Sequence, residues 1–471
     1  MQTYSEVATQ QMSRLLTFAI AVYVMLWLAI MNGYPIFFDD TGEYLIDSFG
    51  MIQSPYRSII YPVFIRLSSW QGSLWLVVIA QCAITIYLLQ CVYDYIVNRQ
   101  LRPRSERVYF LTLIVFLAFA TSLPWYVGQL MPDVFSGLAF LSVFLLLYNP
   151  GLSIERKITL SILLAICVGC HLSNILGIGA VIVAVGLIRM MSVARRFWPT
   201  QTVKGAAGFV LLPIILIVFT VCFSNYRSGF GFKLSAGSPV FMFNRLLESG
   251  LAEKYLESEC QVEQLTPCKY LHNLPKSDFF WGSSPLLKEM GGWLGARQEA
   301  GKIATGTIRK YPLQFAADCV KQTARQFVLF KPDDENYPLR SGFAVEEFSK
   351  LYPADVPRFQ LTKQWSGRLS WVAKKLYHVY QAVFWLSMLS CLVLLLRTHG
   401  RFERPNRLFV LSLIYLVANA AVTGSLSGAF NRYQSRIDWL MGLCVASYVL
   451  QSVIGRWNLD ARDETYPAAL T

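Results

Sequence analysis

Three carboxylates fall within five residues in Phe37-Phe38-Asp39-Asp40-Thr41-Gly42-Glu43-Tyr44-Leu45, and Arg57 and Tyr61-Pro62 follow shortly after. Acids this close together beside a long apolar stretch suit a general base, Asp40 or Asp39, held at the rim of a membrane cavity. The same spacing has a plainer reading. Asp40 with Glu43 three positions on is a capping-box pattern, which does no more than start an interfacial helix. Asp133, in Met131-Pro132-Asp133, is equally two-sided: it either steadies a substrate or N-caps the apolar run behind it. A divalent metal shared by Asp40 and Asp133 is a further option.

The cations are candidates for holding a phosphate. Arg57, Arg432 and Arg436 present guanidinium forks that pair bidentately with phosphate oxygens, or else they snorkel at the interface, the reading favoured for Arg436. His171 interrupts an apolar stretch together with Ser173 and Asn174, and is either a headgroup contact or a hydrogen-bonded structural histidine. Trp125 and Tyr126 read as interfacial belt aromatics, and Lys331-Pro332-Asp333-Asp334-Glu335 as a solvated acidic turn.

The elements that position these residues follow from composition. The chain has 471 residues, 54% hydrophobic and 15% charged, and its mean hydropathy of +0.41 requires a bilayer as solvent. A net charge of +13 is distributed between apolar stretches, not along one basic face, which argues against nucleic acid as a partner. Nine uncharged stretches mark spans, at 15–32, 72–93, 108–123, 134–148, 158–188, 206–225, 376–396, 408–423 and 439–455. The first lacks a small-residue cleavage site and reads as a retained signal anchor. The stretch 158–188 would run ~46 Å as one helix, beyond a ~30 Å hydrocarbon core, so it reads as two short helices.

About ten crossings result, and they bring the arginines to one side. Arg99, Arg102, Arg104 and Arg107 group with Arg189, Arg195 and Arg196, and with Arg397, Arg401, Arg404 and Arg407. That side and both termini are then cytoplasmic, while the loops of Asp40, Asp133 and Arg432 face outward. Residues 1–225 form an N-terminal transmembrane module, 226–375 a mainly α-helical extracytoplasmic domain of ordinary globular composition, and 376–471 the C-terminal helices and tail. The expected fold is an all-α polytopic membrane protein in a cell membrane of the bacterial inner-membrane kind, with membrane lipids as neighbours.

Of ten cysteines, most lie within apolar spans as small buried residues. Cys260 and Cys268 sit in polar sequence with seven residues between them, and either bridge in an oxidising compartment or stay free. Zinc finds only His272 nearby.

Asp-Asp-Thr-Gly-Glu-Tyr-Leu, then Arg57 and Tyr61-Pro62, resembles the first external loop of the type C (GT-C) membrane glycosyltransferases, the superfamily of protein O-mannosyltransferases and aminoarabinose transferases. Met131-Pro132-Asp133 is similar to their second acidic turn, and Asn431-Arg432-Tyr433 to their terminal Arg-Tyr element. The likeness covers the first half of the chain and its last helices, and nothing in 226–375. It implies transfer of a sugar from a polyprenyl-phosphate donor to a glycan, lipid or protein acceptor, with Asp40 as base and Glu43, Arg57, Asp133 and Arg432 as substrate contacts, to which the residue reading adds His171. A flippase or transporter for a lipid-linked saccharide is the first rival, though the spans carry few charges and no internal repeat. A non-catalytic envelope assembly protein is the second, and an O-antigen ligase-like enzyme, which would work through basic residues and a histidine in the large loop, is the third.

Overall fold

The computed structural model describes residues 2–97, 103–190, 202–276, 279, 284–332, 338–398 and 403–463. Among these, regular structure is helical, apart from a one-residue parallel bridge between Ile36 and Gln129. Leu74–Val97, Ala207–Arg227, Arg368–Arg397 and Arg404–Leu426 are long and apolar enough to cross a membrane, and Val134–Tyr148 and Ser173–Ile188 are shorter apolar helices. Two other apolar stretches are subdivided. The first is broken at Leu26 between helices Gln2–Met25 and Trp27–Asn32, and 158–188 is broken at His171 between Ile154–Cys170 and Ser173–Met190.

Burial separates inner helices from outer ones. Val134–Tyr148 is apolar all round and every residue in it is buried, so it is the central pillar of the bundle. Trp439 packs on it at Gly137, where any Cβ would lie 2.5 Å from the indole. Ala207–Arg227 and Arg368–Arg397 have only 17% and 22% of their apolar windows buried. Their exposed faces, with Leu212, Ile215, Phe219, Leu386, Leu389 and Leu396, form contiguous apolar strips that water would not tolerate. A bilayer around the bundle accounts for them.

The pillar also orders the two ends of the bundle. At ~1.5 Å per residue it is ~22 Å long, with Asp133 just ahead of its first residue and Tyr148 at its last. Arg407 lies over the Tyr148 ring at 5.9 Å, while Arg404 stacks on Tyr95 at 5.1 Å and donates to its carbonyl at 2.6 Å. These two arginines therefore stand at the end opposite Asp133. Arg99, Arg102, Arg195, Arg196 and Arg401, like Asp333, Asp334 and Glu335, lie outside the described residues.

Residues between 226 and 375 supply two cores instead of one. Helices Ser238–Glu248, Leu251–Glu259 and Gly292–Lys310 enclose a separate cluster that includes Phe243, Leu256 and Ile303, and Cys260 is disulfide-bonded to Cys268 beside it, with Cα atoms 5.5 Å apart. From Phe330 onward the chain rejoins the main core. Phe348 and Phe359 pack on Phe37, with ring centroids 4.9 and 4.7 Å away. Tyr34, with its ring centroid 6.1 Å away, completes the enclosure of the buried Phe37 ring. The first core is tethered by buried Arg245, which pairs with Asp318 and donates to the Gly424 carbonyl at 3.1 Å in a candidate span.

Helix Thr41–Gly50 lies against helix Phe343–Leu351 so closely that a Cβ on Gly42 would fall 2.7 Å from the Ala344 Cα. Backbone cannot yield as a flexible side chain does. Gly42→Ala is expected to cost about 1–3 kcal/mol of stability, whereas Gly179→Ala, with nothing within 4 Å, should cost nothing. Thermal melting of the two variants in detergent checks this; equal melting temperatures would contradict the contact.

Candidate functional site

Backbone and amide contacts stitch the loops that carry the candidate residues. Ile36 N–H donates to the Gly128 carbonyl and Leu130 N–H to the Ile36 carbonyl, each at 2.9 Å, so the loop before Asp40 runs beside the loop before Asp133. Buried Gln81, on helix Leu74–Val97, donates to the carbonyls of Val127 and Gln129 at 3.2 and 2.9 Å and accepts from the Tyr61 hydroxyl at 2.8 Å. Gln364 grips Phe37 from the other side, accepting from its N–H at 3.0 Å and donating to its carbonyl at 2.7 Å. The arginine-bearing turn Asn431–Ser435 is fixed by Ser122, which donates to the Ser435 carbonyl at 2.6 Å and also bonds Asp438, while Tyr126 bonds the Ser435 hydroxyl.

Neither aspartate caps its helix. Asp40 precedes Thr41–Gly50 and Asp133 precedes Val134–Tyr148, yet neither side chain accepts from the helix it heads. Asp40 instead accepts from Arg57 Nη2 at 2.6 Å through one oxygen and from Arg432 Nη1 at 3.1 Å through the other. Glu43 does not return to the Asp40 backbone as a capping box would. It accepts from Arg57 Nε at 2.8 Å and from the Ser54 hydroxyl at 3.1 Å. Burial by itself would raise the Asp40 pKa, but the two arginines overcome it and hold the carboxyl well below the usual carboxylate range. Asp47, one turn further along the same helix, is pushed up to about 7 by burial and the Glu43 charge.

A second group lies deeper. Arg436, read from the sequence as a snorkelling side chain, is fully buried. Its guanidinium donates to Asp133 Oδ1 at 3.1 Å, Asn419 Oδ1 at 3.1 Å, the Ser173 hydroxyl at 3.2 Å and His171 Nε2 at 2.7 Å. A guanidinium can only donate, so His171 Nε2 accepts, and Nδ1 carries the proton toward the Ser173 oxygen 2.8 Å away. Burial and the Arg436 charge push the His171 pKa well down, consistent with that neutral tautomer. Among the described residues, Asp133 Oδ2 and Arg436 Nε are buried without a hydrogen-bond partner. Tyr433 joins the groups, with Arg432 and Arg436 each 5.3 Å from its ring centroid, and Phe38 lies under Arg432 at 4.3 Å.

Asp40, Glu43, Arg57, Asp133, His171 and Arg432 thus converge on one end of the bundle, and Asp39 is half-buried in the turn ahead of them. Cys260 and Cys268 belong to the separate core. Trp125 and Tyr126, read as belt aromatics, are buried instead, since Tyr126 finds a polar partner inside. Gln81 and Gln364 were not legible as site residues, because each acquires its role only from a partner distant in the chain. Among the described residues no group of three or more His, Cys, Asp or Glu is placed to hold a metal ion. The site does not fit one, because Asp40 and Asp133 both face arginines.

No family model matches the chain, and no curated protein or solved structure matches it.

Removing the Arg436 guanidinium strands the Asp133 charge in the interior. Arg436→Met is expected to cost about 3–5 kcal/mol, and adding Asp133→Asn should recover part of that loss. Thermal melts of the single and double variants test the pairing, which additive losses would refute.

Proposed function

We propose that the protein is an integral-membrane glycosyltransferase of the GT-C type, transferring a sugar from a polyprenyl-phosphate donor to a glycan, lipid or protein acceptor on the extracytoplasmic side. The observation that carries this reading is the meeting of Asp40, Arg57 and Arg432 at one end of an apolar helical bundle, beside Asp133 and its unpartnered oxygen. In the proposed reaction the acceptor oxygen attacks the anomeric carbon and the bond from that carbon to the phosphate oxygen breaks. The electron pair leaves on the phosphate, held by Arg57 and Arg432, and the acceptor proton passes to Asp40. Phosphate is a good leaving group, so no general acid is needed, unlike glycoside hydrolysis with its two carboxylates. Asp133 Oδ2 is suited to orient the acceptor hydroxyl, and neutral His171 keeps Arg436 directed at Asp133.

In this reading the chain crosses a cell membrane about ten times, with both termini cytoplasmic. The placement of Arg404 and Arg407 at the end opposite Asp133 supports that orientation. Single cysteines introduced near Asp40 or in helix Gly292–Lys310 should label in intact cells with an impermeant reagent; labelling only at Arg407 would reverse the orientation.

Asp40→Asn keeps the size of the side chain and removes the proton acceptor. It should lower sugar transfer from a polyprenyl-phosphate donor by ~10² to 10⁴, with Asp39→Asn less affected. Transfer at the parental rate by a well-expressed Asp40→Asn protein would remove Asp40 as the base.

A further inference from the structure

We propose that Arg57 and Arg432 together form a binding site for a phosphate-ester oxyanion that the Asp40 carboxylate occupies until the anion arrives, so that anion binding and release of the base are one event. This rests on the reading of those arginines as phosphate contacts. Both oxygens of Asp40 are committed, one to each arginine, at 2.6 and 3.1 Å. Glu43 already shares Arg57, and a further anion beside Asp40 would crowd like charges, so the Asp40 carboxylate and the phosphate compete for the pair.

Three features make the carboxylate the mobile partner. The arginines are held by other contacts: Glu43 accepts from Arg57 Nε at 2.8 Å, Tyr44 lies 4.9 Å from the Arg57 guanidinium, and Phe38 lies 4.3 Å from that of Arg432. Asp40 contributes no side-chain cap, and its backbone carbonyl still accepts from Tyr44 N–H at 3.4 Å, so the carboxylate can turn away while the helix stays wound. The cluster is also reachable. Arg57, Arg432 and Asp40 keep 18%, 16% and 10% of their side-chain surface exposed, against 0% and 1% for Arg436 and Asp133. The deeper pair is a fixed support and the outer one is open to exchange.

The charged and titratable groups around Asp40 are Arg57 in the loop before helix Ile60–Ser69, Arg432 on the turn Asn431–Ser435, His171 between two helices, and Glu43 and Tyr44 on its own helix. With the arginines turned to phosphate, burial and the new anion raise the carboxyl pKa from its depressed value. Between the depressed and the raised pKa, anion binding takes up protons from solvent; above the raised pKa the carboxylate stays ionised and, freed of the arginines, is the stronger base when a donor is present.

The test uses the purified full chain and titrates a polyprenyl monophosphate, inorganic phosphate, and phosphatidylglycerol vesicles as separate probes. Asp40→Asn removes the competing charge and should bind the polyprenyl monophosphate about 5- to 150-fold more tightly, although its transfer activity falls. Calorimetry in two buffers of different ionisation enthalpy should show proton uptake by the parent beyond that of the variant; the phosphate's own ionisation, near pH 6, is common to both. Equal gains with inorganic phosphate place the recognition in the free anion, and gains with phosphatidylglycerol place it in bilayer headgroups; both retain the exchange. Equal or weaker binding of every probe by Asp40→Asn, without a difference in proton uptake, overturns it. Asp40→Ser repeats the comparison should the first variant fold poorly. Tighter binding by a protein that transfers no sugar upholds the exchange and removes the glycosyltransferase reading, and transfer with unchanged affinities does the reverse.

Discussion

Asp40 and Arg432 stand 392 positions apart in the chain and meet at 3.1 Å. That contact closes the polar end of the bundle, because it ties the first loop to the turn ahead of the last helix while Arg57 ties the same carboxylate to the loop between. Half-buried ions of this kind persist only if each charge finds a partner, and the surrounding backbone serves that need. The Ile36–Gln129 bridge, the Gln81 and Gln364 amides and the Ser122–Ser435 bond all hold loops, and all of them hold loops that carry a member of the cluster or abut one.

The two ion clusters differ in kind. Arg436 is surrounded by Asp133, His171, Ser173 and Asn419, contributed by three separate parts of the chain, and it is closed to solvent. Such a pair is costly to bury and strongly destabilising to break, which suits a pivot on which the ends of several helices are fixed. The pair at Asp40 uses similar groups in a shallower place. There the charges keep some contact with solvent, and the aromatic faces of Phe38, Tyr44 and Tyr433 hold the cations in position without neutralising them.

The segment between 226 and 375 illustrates how one stretch of globular composition divides its loyalties. Its first part encloses its own apolar cluster and a disulfide, whereas its last part covers Phe37 and the start of helix Thr41–Gly50. The second part thereby belongs to the site's supporting structure. Gly42 permits that approach and Gly237 a similar one, since a Cβ there would lie 2.7 Å from the Tyr56 Cβ, next to Arg57.

Sequence by itself determined the features that depend on local chemistry: an all-helical chain, apolar stretches fit for a bilayer, a break at His171, and the residue types of the polar end. Period and hydropathy are local quantities, so they survive without knowledge of the fold. It could not decide whether Asp40 and Asp133 cap helices or carry charge, because a helix N-terminus and an arginine compete for the same oxygens and the spacing Asp40 to Glu43 satisfies both. Only the tertiary structure decided that, by delivering Arg57, Arg432 and Arg436 to those oxygens. It likewise took Arg436, Trp125 and Tyr126 from the expected interface into the interior. A side chain's burial is set by what the rest of the chain packs against it, and those neighbours are hundreds of positions away.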